Sequence, residues 1–169
     1  DKETRIRIEE LQKVTRDIDG DESYARAQID KAGIYYNLNQ FEDAYQAFLN
    51  INKSDSLIYY MMAQYAMGAL SSQSDSRAEA ITVWSNLKGI GNSLSAAMIK
   101  FRVGNNLLSE DFAEYDEARQ FFVETLKYYP YESYCYQKIC DLLLDPKLKA
   151  IGKKSLQLLD KTLETVNIL

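Results

Sequence analysis

Histidine is absent from the 169 residues. That removes the Ser-His-Asp triad, the Cys-His pair, His-ligated zinc and imidazole acid–base catalysis together. Cysteine is almost absent. Cys135 and Cys140 are the only two, and their spacing is not the C-x-x-C of a redox or zinc motif. On one helix they would point about 140° apart and could not pair locally. They read as free thiols, at least one buried, which inclines the chain towards a reducing cytoplasm, with an exported or periplasmic location as the alternative. Glycine (7) and proline (2) are scarce. Sheet-rich folds spend these residues on turns, so the scarcity favours helices. No apolar run approaches the ~20 residues that span a bilayer, so no membrane insertion is expected. The net charge of −5 repels phosphate backbones, and nucleic acid is not an expected partner. There is no initiator Met; the chain begins at Asp1, as a processed chain or an excised piece of a longer one would.

What remains is an ordinary globular composition. Apolar residues make up 46% and charged residues 27%, too balanced for wholesale disorder. Apolar positions recur at three- and four-residue steps almost throughout, which predicts an all-α fold of about nine helices. The predicted spans are 2–19, 22–38, 41–51, 57–70, 77–87, 94–107, 115–128, 132–144 and 148–166. Gly20, Asn39 and the 71–76 stretch SSQSDS separate early helices. Pro130 and Asp145-Pro146 separate late ones, because proline cannot continue a helix and restricts the residue before it.

The helices repeat. Phe41-Glu42-Asp43-Ala44 is followed by Phe48, and Tyr115-Asp116-Glu117-Ala118 by Phe122. Between them Ala80 precedes Trp84, and near the end Gly152 precedes Leu156. The small residues 44, 80, 118 and 152 are separated by 36, 38 and 34 positions. A small side chain lets a neighbouring helix approach, and a large one four residues later fills the adjoining space on the same face. A period near 34 with a helix pair in each unit is the size of a tetratricopeptide repeat, and this chain resembles that family from Tyr24 to Val166. In the first unit Ala32, Tyr35, Phe41, Ala44 and Phe48 fall on the family's small and aromatic positions; in the second, Met62, Tyr65, Ala66, Ala69, Ala80 and Trp84 fit. Tyr115, Ala118, Phe122 and Pro130 match in the third, and Tyr136, Ile139, Cys140 and Leu143 in the fourth. There are departures. Gln28 and Lys31 stand where apolar residues are usual, Arg77 and Lys149 replace an aromatic, and the register around Ala97, Phe101 and Leu108 is ambiguous.

The resemblance implies a right-handed superhelix of stacked antiparallel helix pairs. Residues 1–20 form an N-terminal helix, a cap or the remnant of a preceding repeat. Residues 21–169 form about four degenerate pairs in one domain. It further implies a concave face, lined by the first helix of each pair, that binds a peptide or protein segment. On that reading the partner-binding residues are Arg26, Tyr36, Tyr60, Met67, Tyr134 and Gln137, with Ile29, Gly33, Ala63, Leu70, Asp141 and Leu144 beside them. The Lys/Asn clamp by which some members hold a C-terminal carboxylate is not expected, since Ile29 and Gly33 occupy its first-unit positions. The expected role is a non-enzymatic scaffold or adaptor for another protein, with no catalytic residue, metal or cofactor. The alternatives are a structural or regulatory segment of a larger solenoid, open to self-association, and a type III secretion translocator chaperone. The 13 tyrosines cluster at 35–36, 59–60 and 128–136. They suit such a surface but suit ordinary interhelical packing better.

Overall fold

The computed structural model describes residues 1–109, 112 and 114–126. Among them are eight helices and no strand. The expected helices over 132–144 and 148–166, the site residues Tyr134, Gln137, Asp141 and Leu144, both cysteines, Gly152 and the 128–136 tyrosine cluster lie outside the described residues. The chain divides after Leu87 into two compact units.

The first unit opens with a correction. The expected single helix over 2–19 is two: α1 (Lys2–Gln12) and α2 (Arg16–Asp19). Thr15 causes the break. It leaves the helix in an extended conformation and caps α2, its hydroxyl accepting from the Ile18 amide at 3.4 Å while its own amide donates to Asp19 Oδ2 at 2.9 Å. These reciprocal bonds satisfy amides that a helix start otherwise leaves unpaired. The break places Arg16 where it can clasp Asp55, 39 residues away, with Nε to Oδ1 at 2.7 Å and Nη2 to Oδ2 at 2.8 Å. Arg16 also donates to the Asn50 carbonyl at 2.8 Å and lies over the Tyr24 ring.

Two helix hairpins follow: α3 (Asp21–Asn37) with α4 (Phe41–Leu49), and α5 (Leu57–Gln73) with α6 (Arg77–Ser85). α1 and α2 pack on α3, and α5 packs on both α3 and α4. The second unit carries one described hairpin, α7 (Leu94–Leu108) with α8 (Tyr115–Leu126). Ser56 and Ser93 cap α5 and α7 with their hydroxyls, a common way to start a helix.

The three hairpins are built to one plan. In the first two, the turn runs through a left-handed residue, Asn39 (φ 59°) and Asp75 (φ 61°), both types that tolerate that region. The turn closes with Gln40 N donating to Tyr35 O at 2.8 Å and Ser76 N to Ser71 O at 2.9 Å. In the third, Glu114 N donates to Leu107 O at 2.9 Å. The acceptors 35, 71 and 107 are 36 residues apart; the third loop is two residues longer.

The same offset governs packing. The small position of each first helix is Ala32, Gly68 and Gly104. A Cβ on Gly68 would fall 2.0 Å from Trp84 Nε1, and one on Gly104 2.8 Å from Phe122 Cε1. Each glycine therefore lies directly beneath the large aromatic of its second helix. Ala44, Ala80 and Ala118 are fully buried, and Ile51, Leu87 and Thr125 fill the next turn. A partly buried polar link recurs as well. Asn50 Nδ2 donates to Gln28 Oε1 at 3.5 Å, Asn86 Nδ2 to Gln64 Oε1 at 3.2 Å, and Lys100 Nζ to Glu124 Oε1 at 3.0 Å. Gln28, an oddity in the sequence, is thus a partnered core residue rather than a defect. α5 also runs through Ser71–Gln73, which the sequence reads as loop; only 74–76 form the turn.

Candidate functional site

The offset of 36 rather than 34 moves the expected binding face. Tyr60, Ala63, Met67 and Leu70 lie 34 positions after Arg26, Ile29, Gly33 and Tyr36. The structural equivalents of those four are Met62, Tyr65, Ala69 and Ser72. A shift of two residues turns a helix position by about 200°, so the reading exchanges inside for outside. Met67 is accordingly only 3% exposed, its sulphur 3.8 Å from Gln64 Nε2. Ala63 is buried in a cluster with Ala25 and Ile51, and Tyr60 packs against that cluster. Lys53 lies over the Tyr60 ring, and burial pushes the Tyr60 hydroxyl above the usual tyrosine range. Arg26 is exposed but faces a different recess, shared with Arg7, Leu11 and Asp30 between α1 and α3. Of the four expected site residues that are described, Tyr36 alone lines the groove between the first helices.

That groove is a cavity of roughly 360 Å³ between α3 and α5. Gly33, Tyr36 and Asn37 form one wall, Tyr65, Ala66, Ala69 and Gln73 the other, with Phe48 and Leu70 between them. No charged residue lines it. The small residues Gly33 and Ala69 open the space, and Gly33 has nothing within 4 Å of where a Cβ would stand. Tyr36 is held at the rim by Phe41 edge-on at 5.5 Å and by Gln73 Nε2 at 3.5 Å from its hydroxyl. The residues that the sequence reading missed as site residues are Asn37, Phe48, Tyr65, Ala66, Ala69 and Gln73. The signal that could have found them is the pairing of Asn39 with Asp75 and of Ala32 with Gly68, both 36 apart.

A second cavity of roughly 350 Å³ adjoins the first, sharing Leu70 and Gln73. Phe41, Glu42 and Tyr45 of α4, Ser71 and Ser74 at the end of α5, and Glu79 of α6 complete it. The Tyr45 hydroxyl donates to Glu79 Oε1 at 3.1 Å, and Gln46 Nε2 donates to Glu42 Oε1 at 3.2 Å. Burial, and then the bond to Glu79, raise the Tyr45 hydroxyl above its ordinary range.

Among the described residues, no group of three or more His, Cys, Asp or Glu is placed to hold a metal. No helix there is long and apolar enough to cross a membrane. Comparison with known proteins returns no match: no family model fits the sequence, and neither a curated protein nor a solved structure matches it.

Proposed function

We propose that this chain is a non-enzymatic protein–protein interaction scaffold, a tetratricopeptide-like right-handed array of helix hairpins that holds a segment of another protein between its first helices. The observation that carries the reading is the uncharged cavity between α3 and α5, walled by Tyr36 and Tyr65 and opened by Gly33 and Ala69. Concave, mostly apolar spaces with a few polar groups at the rim are where side chains of a ligand are buried. Rigid aromatic walls supply contact area at small entropic cost. Asn37, Gln73 and the Tyr36 hydroxyl stand at the edge with donors and acceptors for a peptide backbone. Two successive first helices meeting at one groove is also what a curved hairpin array uses for binding.

The test is retention on an arrayed library of twelve-residue peptides, comparing the unaltered chain with Ala69→Arg. The arginine fills the cavity from an incompletely buried helix position. Retention should fall by more than about tenfold, the worth of ~1.4 kcal/mol of lost contact. Equal retention by the variant, with its helical circular dichroism intact, refutes the groove as the binding site.

A further inference from the structure

The two adjoining cavities differ in chemistry, and the difference selects a ligand. The α3/α5 groove is lined without charge. Its neighbour carries two carboxylates, Glu42 and Glu79, beside the rings of Phe41 and Tyr45. Glu42 and Glu79 accept hydrogen bonds only from neutral groups, Gln46 and Tyr45. Neither is in an ion pair with any described lysine or arginine, whereas Asp55, Glu117 and Glu124 each are. Their negative charge is therefore uncompensated within the cavity. An aromatic face beside a carboxylate attracts a cation twice, through the ring quadrupole and through the charge. The overall charge of −5 adds a long-range pull of the same sign. The shared residues make the two spaces one track. Leu70 and Gln73 line both, and Gln73 Nε2 donates to the Tyr36 hydroxyl.

We infer that the segment bound by this surface pairs an apolar side chain, seated in the α3/α5 groove, with a nearby lysine or arginine seated against Glu42 and Glu79. The inference rests on the peptide-binding reading and sharpens it. The apolar contact supplies retention, and the carboxylates supply selection against neutral and acidic segments. An acidic segment would meet like charges at short range and lose affinity.

The test uses three sets of twelve-residue peptides that share randomised apolar positions and differ at one fixed position, which is Lys, Gln or Glu. Fluorescence anisotropy at low salt should rank them Lys, Gln, Glu, with Lys over Gln by about fivefold, the upper range for a partly exposed charge pair. Raising the salt should shrink that ratio. In the double variant Glu42→Gln, Glu79→Gln, whose amides retain the bonding shape, the ratio should fall to about one. Binding with no preference among the three sets, or a preference that survives the double variant, overturns the cation assignment and leaves the groove standing. Binding by none of the sets overturns the peptide-binding reading and this inference with it.

Discussion

Glycine-to-alanine substitution in a helix interior normally stabilises, because alanine loses less backbone freedom on folding; the gain is about 1 kcal/mol. Gly33 and Gly68 occupy the middles of α3 and α5 and should respond in opposite directions. At Gly33 a Cβ meets nothing within 4 Å, so Gly33→Ala should gain the full propensity term. At Gly68 the Cβ would stand 2.0 Å from Trp84 Nε1 and 2.5 Å from two ring carbons, where ordinary contact is about 3.5 Å. The ring must retreat by about 1.5 Å, and it is buried to 1% exposure. Overpacking of this kind costs about 1–3 kcal/mol. The same displacement breaks the 3.0 Å bond from Trp84 Nε1 to the Tyr65 carbonyl, a further ~1 kcal/mol or more. Set against the propensity gain, Gly68→Ala should lose about 2 kcal/mol. For a chain of this length that lowers Tm by about 4–8 °C, while Gly33→Ala raises it by about 2–4 °C. Differential scanning calorimetry measures both shifts. Trp84 is the only tryptophan, so its emission should shift to the red in Gly68→Ala and stay put in Gly33→Ala. A Gly68→Ala chain as stable as the unaltered one, with unchanged emission, would refute the close approach of Trp84 to α5.

The other predictions concern the polar links. Arg16→Ala leaves the Asp55 carboxylate, whose side chain is 2% exposed, without its cation. A fully buried pair would cost about 3–5 kcal/mol to break, and because Arg16 is itself 36% exposed the expected loss by urea unfolding is nearer ~2 kcal/mol. The Arg16 guanidinium holds the Asp55 carboxyl below its usual range. Its stabilising contribution is therefore whole above the unfolded carboxylate value of about 4 and fades as pH falls below it. The stability gap between the two proteins should be flat from pH 5 to 7 and narrow under acid; a gap that widens under acid contradicts the pairing. Asn86→Ala strands the Gln64 oxygen, and a loss of about 1–2 kcal/mol is expected in the same assay. Gly104→Ala meets Phe122 at 2.8 Å rather than 2.0 Å, so it should destabilise less than Gly68→Ala; a larger loss would count against the packing of α7 on α8.

Much of the fold is legible in the sequence. The boundaries of α3, α4, α6 and α7 fall within two residues of the spans read from periodicity, and Ala44, Ala80 and Ala118 are buried as their spacing implies. The break at Thr15 was legible in principle, since a hydroxyl residue followed closely by an acid is a helix-start signature. It was masked by Val14 and Ile18, which continue the apolar spacing of α1. The candidate site was far less legible. Tyr36 was placed in the groove, but Tyr60 and Met67 stand for residues that face another way.

Local periodicity constrains which residues of a helix share a stripe, because the 3.6-residue turn is a property of the backbone alone. From that, composition and spacing settled the helical class, the hairpin rhythm and the small-then-large pairing within each second helix. How the two helices of one hairpin align is a different matter. It is decided where Trp84 sits on Gly68 and Phe122 on Gly104, contacts between residues 16 and 18 positions apart that no single helix specifies. Those contacts require the small residue of α5 at Gly68 and that of α7 at Gly104, 36 positions apart. Two residues of error rotate a position by about 200°, which is why a buried methionine could pass for a binding residue.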